Sequence, residues 1–172
     1  MNLRKYIEII DDFPKKGISF KNITTLLRDR DAFRETIDSM VEKLKDRDID
    51  YIIGPEARGF VLGSAVAYAM NIGFIPVRKK GKLPGNTVEY EYELEYGIDS
   101  LEIQEGAVEK DAKVAIIDDL LATGGTVNAT AKLVEMMGGK VDTMLFLIEL
   151  TDLNGREKNG DYNVESLIKY NI

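Results

Sequence analysis

The apolar positions of this chain follow two different periods, and their alternation predicts helices alternating with strands. In residues 33–44 apolar side chains recur every three or four positions, as on one face of an amphipathic helix, and Asp31 is suited to be its N-cap. Residues 59–70 are rich in Ala, Val and Leu and predict a buried helix. A third helix is predicted from about Thr126 to Met137, because Gly138-Gly139 provides a stop after it.

Short, almost continuous apolar runs lie among these predicted helices and indicate buried strands. The four runs are residues 49–54, 73–77, 114–117 and 143–150. Because strands and helices alternate, they predict an α/β fold with a mostly parallel central sheet flanked by helices. Residues 1–172 are expected to form a single domain, with residues 1–28 as an irregular N-terminal element.

A long segment between the second and third strands breaks the alternation. Residues 78–82 contain four basic side chains, whereas residues 83–109 contain eight acidic ones and no basic one. From Glu89 to Tyr96 carboxylates alternate with Tyr and Leu, which predicts a β-arm with one acidic and one aromatic face. Such an excursion from a compact domain is often a lid or binding loop. The alternatives are a solvated hairpin that packs its tyrosines and a basic run that is only a solvated face.

Composition narrows the chemistry that this domain can carry out. The 172 residues include neither histidine nor cysteine, which excludes a Ser-His-Asp triad, a thiolate nucleophile, a disulfide and a His-ligated zinc site. The 23 basic and 30 acidic side chains give a net charge of −7, which argues against nucleic acid or an anionic membrane as the main partner. No apolar run approaches the roughly 18 residues of a membrane-spanning helix, so a soluble, cytoplasmic protein is expected.

Residues 114–126 combine a buried strand, two carboxylates and a glycine turn that opens a helix. Gly124-Gly125 lets backbone N–H groups approach an anion, and Thr123 and Thr126 add hydroxyl donors beside the helix N-terminus, which predicts a cradle for a monophosphate. Carboxylates repel phosphate, so Asp118-Asp119 predicts contacts with neutral hydroxyls, such as a ribose diol, or with a cation. The alternative is a plain tight turn. The sequence contains neither a P-loop motif nor a Gly-x-Gly-x-x-Gly fingerprint.

This thirteen-residue stretch resembles the motif with which type I phosphoribosyltransferases bind 5-phosphoribosyl 1-pyrophosphate (PRPP). Further stretches agree with the same family in the same order, and the resemblance spans about residues 13–158. These stretches are residues 56–60, 78–84, 94–97, 101–103, 149–151 and 155–157. The resemblance implies the type I phosphoribosyltransferase fold, with residues 1–28 as an N-terminal hood and residues 79–109 as a long mobile active-site arm. The residues of the motif at positions 118–126 are most similar to those of family members that act on adenine.

The resemblance also implies an activity and its requirements. The expected reaction transfers the 5-phosphoribosyl group from PRPP to adenine and yields AMP and pyrophosphate, by a Mg²⁺-assisted displacement at ribose C1′ through an oxocarbenium-like transition state. The Mg²⁺ is expected to be held by PRPP and water, with no direct protein ligand. A homodimer is expected, with its interface near the helix after Arg58. The alternatives are transfer to another purine base (xanthine, or hypoxanthine/guanine) and a non-catalytic regulator that senses PRPP.

The same resemblance assigns roles to individual residues. The 5′-phosphate site comprises Ala122, Thr123, Gly124, Gly125 and Thr126, and the ribose site comprises Asp118 and Asp119. The pyrophosphate site comprises Glu56, Ala57, Arg58, Arg78, Lys79 and Lys82. The adenine site comprises Ser19, Phe20 and Arg58, and the catalytic residues are Glu95 and Arg58. Without the resemblance, Arg58 reads as a surface ion-pair residue and Phe20 as a core aromatic. Sequence physics alone does not distinguish Glu95 from Glu89, Glu91 or Glu93.

Overall fold

The computed structural model describes residues 1–94 and 96–171, and within them a seven-stranded sheet is covered by helices on both faces. The helices are α1 (Thr24–Arg28), α2 (Arg30–Leu44), α3 (Arg58–Met70), α4 (Gly125–Met136) and α5 (Gly155–Lys158). The strands are β1 (Glu8–Asp11), β2 (Ser19–Asn22), β3 (Tyr51–Pro55), β4 (Gly73–Lys79), β5 (Thr87–Glu93), β6 (Ile98–Gln104), β7 (Lys113–Leu121), β8 (Lys140–Leu150) and β9 (Asn163–Tyr170).

The sheet has the strand order β5-β6-β4-β3-β7-β8-β9. The five strands from β4 to β9 in this order are parallel, while β6 pairs antiparallel with both β4 and β5. The predicted α/β fold with a mostly parallel sheet is therefore confirmed. Because β3 and β7 are parallel neighbours, their carboxyl ends lie side by side at one edge of the sheet.

Two apolar clusters, one on each face of the sheet, form the core. Alternate residues of β7 point to opposite clusters: Ala115 and Ile117 pack with α1, α2 and α3, whereas Val114 and Ile116 pack with α4 and the arm. This alternation follows from the period of two in a strand, and it explains why the predicted strands are apolar throughout.

One prediction about local structure is wrong, and one strand was missed. The N-cap of α2 is Asp29 and not Asp31: the extended backbone of Asp29 lets its carboxylate accept hydrogen bonds from the amides of Asp31 and Ala32, and Asp31 lies in the first helical turn. Strand β9 was not predicted. Its buried positions Val164, Ile168 and Tyr170 are separated by partly exposed or polar residues, so its apolar run is shorter than those of the other sheet strands.

The N-terminal element and the arm are both more regular than loops. Residues 1–28 contain the antiparallel pair β1–β2, in which Ile10 lies opposite Phe20. In the arm, β5 and β6 form a hairpin whose Tyr90 and Tyr92 pack against the core, while Glu89 faces Lys80 at 3.0 Å. The two predicted faces of the arm are thus present. Within the described part of the chain, no helix is long and apolar enough to cross a membrane.

Candidate functional site

A cleft of about 350 Å³ opens where the carboxyl ends of β3 and β7 meet the beginnings of α3 and α4. Two segments distant in sequence line it. They are Glu56, Ala57 and Arg58 from the turn after β3, and Asp118 to Val127 from the end of β7, the following loop and the start of α4. Ten predicted residues therefore face one cavity: all of those assigned to the phosphate and ribose sites, and the three pyrophosphate residues outside the basic run. About 60 positions separate the two segments along the chain.

The loop after β7 places backbone amides at the N-terminus of α4. Gly124 adopts a left-handed conformation with φ of +82°, which allows the chain to turn from the strand into the helix, and α4 begins at Gly125. The carbonyl of Gly124 accepts the first helical hydrogen bond from the Asn128 amide at 3.1 Å. The early amides of a helix have no partner within the helix, and they carry partial positive charge. This end of the cleft is therefore suited to an anion.

The two carboxylates at the end of β7 differ in their surroundings. Asp119 is 5% exposed, and Arg58 Nε lies 2.5 Å from its Oδ2. Asp118 Oδ1 accepts a hydrogen bond of 2.8 Å from the Asp119 amide. Desolvation raises the pKa of Asp118 well above its ordinary value, and the negative charge of Asp119 adds to this shift. The Arg58 guanidinium offsets the negative charge of Asp119, which lowers the repulsion of the pair toward phosphate.

The turn after β3 connects the cleft with the basic run. The Glu56–Ala57 peptide bond is cis. Glu56 Oε1 accepts hydrogen bonds from the Lys79 amide at 2.7 Å and from Arg78 Nε at 3.2 Å. Burial alone would raise the pKa of Glu56, but the Lys79 amide and the Arg78 guanidinium outweigh it and hold that pKa below its ordinary value. Glu56 is thus an ionised anchor that fixes the end of β4 beside the cleft.

The other predicted pyrophosphate residues lie outside the cavity lining. Lys79 Nζ is 3.4 Å from Asp99 of the arm, and the Lys82 carbonyl accepts a hydrogen bond from Arg78 at 3.5 Å. The basic run is therefore paired with acidic residues of the arm and of the β3 turn. The Lys79 side chain is 61% exposed, so solvent screens its ion pair.

The predicted adenine residues approach the cleft through Arg58. The Arg58 guanidinium lies 5.8 Å from the ring centroid of Phe20, and Phe20 packs edge-to-face on Phe13 with centroids 5.1 Å apart. Ser19 accepts a hydrogen bond of 2.8 Å from Lys21 Nζ. Arg58 thus touches both the hood and the carboxylate pair. Glu95, the predicted catalytic carboxylate, lies outside the described residues.

Two features of the site were missed in the sequence. Tyr92 of the arm reaches across to the start of α4, where its hydroxyl lies 3.5 Å from Thr126 Oγ1. Asn159, in the turn after α5, hydrogen-bonds to the carbonyl of Gly124 at 3.1 Å. The alternation of glutamate and tyrosine predicted that Tyr92 lies on the aromatic face of the arm, but it did not show which residues that face contacts. An isolated Asn in a Lys-Asn-Gly turn carries no signal for Asn159.

The donor set suits a cation that is shared with a substrate. Among residues 1–94 and 96–171, no three side chains of the Asp, Glu, His or Cys types come together in a metal-binding group. Glu56, Asp118 and Asp119 are the carboxylates that line the cleft, and two of them already have cationic partners: Arg58 pairs with Asp119, and Arg78 pairs with Glu56. Mg²⁺ characteristically keeps several waters and binds through substrate phosphates and at most one or two carboxylates. The residues present are compatible with a metal bound in that way.

Comparison with known proteins identifies the family. The model of the phosphoribosyl transferase domain matches residues 22–171. The adenine phosphoribosyltransferase of Clostridium acetobutylicum is 58% identical over 172 residues, which is 100% of both chains. The crystal structure of the adenine phosphoribosyltransferase of Thermoanaerobacter pseudethanolicus superposes with a TM-score of 0.95 at 55% identity and covers 98% of each chain. The enzyme of Saccharomyces cerevisiae, solved with an imino-altritol bisphosphate and adenine, has a TM-score of 0.88 at 38% identity and covers 96% of this chain and 95% of its own.

Proposed function

The chain belongs to the phosphoribosyltransferase family, and on this basis we propose that it transfers the 5-phosphoribosyl group of PRPP to adenine, forming AMP and pyrophosphate. The observation that carries the proposal is the single cleft in which an amide-lined loop, a carboxylate pair and the Glu56–Arg58 turn face one another. A sugar with a phosphate at one end, hydroxyls in the middle and a pyrophosphate at C1′ matches these three surfaces in order.

The loop Ala122–Thr126 is the proposed 5′-phosphate site. Its backbone amides and the two threonine hydroxyls supply donors, and the α4 N-terminus adds partial positive charge. The proposed ribose site is the carboxylate pair, where hydroxyls donate to carboxylate oxygens. A carboxylate accepts several hydrogen bonds, so Asp119 is able to hold Arg58 and a ribose hydroxyl at the same time.

The chemistry is a displacement at C1′ of the ribose. The bond from C1′ to the pyrophosphate oxygen breaks, and its electron pair leaves with pyrophosphate. A ring nitrogen of adenine forms the new bond to C1′ and loses its proton. Positive charge builds on the ribose ring, so the site must hold the sugar still and neutralise the leaving group. The Glu56–Ala57 amides, Arg58, Arg78, Lys79 and Lys82 are the proposed contacts to pyrophosphate. Mg²⁺, held by PRPP oxygens and water, would supply further positive charge there.

Glu95 is the proposed acceptor of the adenine proton. The proposal rests on the family resemblance of residues 94–97, since the residue lies outside the described part of the chain. We expect Glu95→Gln to reduce kcat by about 100-fold, which is the order of a lost general base. Glu91→Gln and Glu93→Gln are matched controls, because they remove similar charges from the same arm. They should change kcat by less than about threefold. Equal losses in all three variants would refute the assignment.

The hood is the proposed adenine pocket. Phe20 would stack on the base, backbone groups near Ser19 would bind its hydrogen-bonding edge, and Arg58 would lie at the junction of base and pyrophosphate. A site built to hydrogen-bond one edge of a purine rejects another edge strongly, because mismatched polar groups are left unpaired. The selectivity for adenine over 6-oxopurines is therefore proposed to depend on this small set of groups.

One assay separates the candidate functions. The protein is incubated with PRPP, Mg²⁺ and, in separate reactions, adenine, hypoxanthine, guanine and xanthine, and the nucleotide product is quantified by chromatography. We expect AMP alone. Formation of another nucleotide would instead support a phosphoribosyltransferase for that base, and PRPP binding without any product would support a PRPP-sensing regulator. Omission of Mg²⁺ with a chelator present is expected to abolish AMP formation.

A homodimer formed through α3 is part of the proposal. The outer face of this helix is apolar yet exposed: Val61 is 42% exposed and Tyr68 is 89% exposed. Exposed apolar surface of this kind is typical of a protein–protein interface. Tyr68→Lys should shift the mass measured by light scattering from a dimer to a monomer. Met136→Lys, which changes an exposed residue of α4, is the control and should leave the dimer intact.

The remaining expectations from composition stay predictions. The net charge of −7 supports small-molecule substrates in place of nucleic acid or an anionic membrane surface. A cytoplasmic location is also proposed from composition, because the sequence contains no cysteine. Imaging of a tagged full-length protein in cells would test it.

A further inference from the structure

The segment Gly155–Asn159 packs directly against the loop that carries the proposed 5′-phosphate site. A Cβ atom added to Gly155 would collide with the Ala122 carbonyl oxygen, and one added to Gly124 would lie 2.5 Å from Asn159 Nδ2. None of the described residues 155–159 belongs to the lining of the cleft. The segment therefore supports the loop from behind and leaves its cleft side open.

The Asn159 side chain uses its complete amide group in this support. It is 1% exposed, and its Nδ2 donates to the carbonyls of Gly124 at 3.1 Å and Gly155 at 2.9 Å. Its Oδ1 accepts a hydrogen bond of 3.1 Å from Asn128 Nδ2 in the first turn of α4. The two carbonyls can only accept hydrogen bonds, so they require the nitrogen of the amide on their side. Asn159 thus joins three backbone or side-chain groups that surround the loop.

Holding the Gly124 carbonyl also determines the direction of the next amide. The Gly124–Gly125 peptide is trans, and in a trans peptide the C=O and N–H bonds point in opposite directions. Asn159 and the Asn128 amide both bind the Gly124 oxygen, and neither residue lines the cleft. The Gly125 N–H, on the opposite side of the same peptide, therefore points toward the cleft that Gly125 lines. An anion in the cleft would meet this N–H already oriented.

The support is itself anchored in the sheet. Arg156 Nη2 and Nε bind both carboxylate oxygens of Glu149 on β8, at 2.6 and 2.9 Å, and Nη1 donates to the Val164 carbonyl on β9. Glu149 is 4% exposed and also accepts a hydrogen bond from Ser166 Oγ at 2.6 Å. A paired, hydrogen-bonded charge of this kind resists displacement because breaking it would leave a buried charge unpaired. The turn that carries Asn159 is therefore held by a rigid part of the fold.

We infer that Asn159 is a positioning residue for phosphate recognition: through the Gly124 carbonyl it pre-orients the loop amides that bind the 5′-phosphate. This inference rests on the proposed function, since it deepens the role of the same loop. Pre-oriented donors bind an anion without first paying an ordering cost, so loss of Asn159 should weaken phosphate binding more than it alters any other step.

The test compares two ligands that use different parts of the cleft. Isothermal titration calorimetry measures the Kd of ribose 5-phosphate, which needs the loop, and of Mg²⁺-pyrophosphate, which would use the Glu56–Arg58 turn. For Asn159→Ala we expect the Kd of ribose 5-phosphate to rise about tenfold, the size of one or two lost hydrogen bonds, with the Kd of pyrophosphate changed less than about twofold. In steady-state assays KM for PRPP should rise, while kcat at saturating PRPP stays within about twofold.

A matched control and a milder variant make the outcome decisive. Thr143→Val removes an equally buried polar side chain from β8 at a position that pairs with Ala115, far from the loop, and should leave both Kd values unchanged. Asn128→Ala removes only the donor to Asn159 Oδ1 and is partly exposed, so it tests the same link if Asn159→Ala does not fold. An unchanged Kd of ribose 5-phosphate in the folded variant, or equal weakening of both ligands, would overturn the inference. Failure of the wild-type protein to bind ribose 5-phosphate would overturn the proposed function and with it this inference.

Discussion

Replacement of Gly124 by alanine is expected to destabilise the fold and weaken phosphate binding together. Gly124 has a φ of +82°, and its added Cβ would lie 2.5 Å from Asn159 Nδ2, 2.9 Å from the Gly155 carbonyl oxygen and 3.1 Å from Gly155 Cα. Two of these three neighbours are backbone atoms, and the third belongs to a side chain held by three hydrogen bonds. None of them is able to move aside without breaking contacts.

The size of the effect follows from two contributions. A left-handed backbone costs an alanine about 1–2 kcal/mol, and forcing a methyl group into a filled space costs about 1–3 kcal/mol. The sum of about 2–5 kcal/mol corresponds to a melting temperature lower by roughly 5–15 °C for a chain of this size. Since the Gly124 carbonyl would be displaced from Asn159, the affinity for ribose 5-phosphate should also fall, by about tenfold or more.

The neighbouring glycine provides the control. A Cβ added to Gly125 would have its nearest neighbours at 3.7 Å in the Tyr92 ring and at 3.9 Å in Lys158 Nζ, which is ordinary van der Waals contact. Gly125→Ala should therefore change the free energy of unfolding by less than about 1 kcal/mol. Thermal unfolding and calorimetric titration of both variants check the argument. If Gly124→Ala melted within about 2 °C of the wild type, or if the two variants were equally destabilised, the steric reasoning would be wrong.

Three further predictions concern charge. Asp118→Asn should raise stability at neutral pH, because the pKa of Asp118 is raised in the folded protein and stability therefore falls as pH rises from the ordinary pKa toward the folded one. Urea unfolding of the variant should lack this pH dependence, and the affinity for PRPP should decrease. Glu149→Gln should lower the free energy of unfolding by about 1–3 kcal/mol at neutral pH, because the hydrogen bonds from Arg156 lower the pKa of Glu149. The stability that this shift contributes is present above the ordinary pKa and is lost as pH falls through the folded pKa. The free energies of unfolding of the variant and the wild type should therefore converge in acid. Lys79→Ala should raise KM for PRPP severalfold with a melting temperature within about 2 °C of wild type, because its ion pair with Asp99 is exposed, and a fall of stability without a change in KM would contradict the pyrophosphate role.

The periodic elements of the fold could be predicted because their signals are local. The apolar runs at residues 49–54 and 143–150 predicted strands that the structure places within β3 and β8, with differences of a few residues at the ends. Element ends depend on caps and turns, and the cap of α2 shows this. Asp29 and Asp31 are the same residue type two positions apart, and the backbone conformation decides which of them caps the helix.

The candidate site was predictable where one short segment carries it. Residues 118–126 bring two acids, two threonines and a glycine pair to the end of a strand, and the consequence of that order for anion binding follows from the geometry of a strand–loop–helix unit. The roles of residues such as Glu95 and Phe20 depended on the family resemblance. Other glutamates and phenylalanines occur in the chain, and composition and periodicity do not distinguish Glu95 and Phe20 from them.

The amino-acid sequence by itself determined the α/β architecture, the position of the glycine loop, the acidic arm and the absence of histidine and thiol chemistry, because composition and periodicity are properties of short stretches. Only the tertiary structure decided which distant groups meet. Arg58 pairs with Asp119, Tyr92 reaches Thr126, and Asn159 holds Gly124 across 35 positions of the chain. Such contacts depend on how strands are ordered in the sheet and on single hydrogen bonds between groups that leave no periodic trace in the sequence. The proposed phosphate loop is visible in thirteen residues, but the segment that packs against it lies about 35 positions further along the chain.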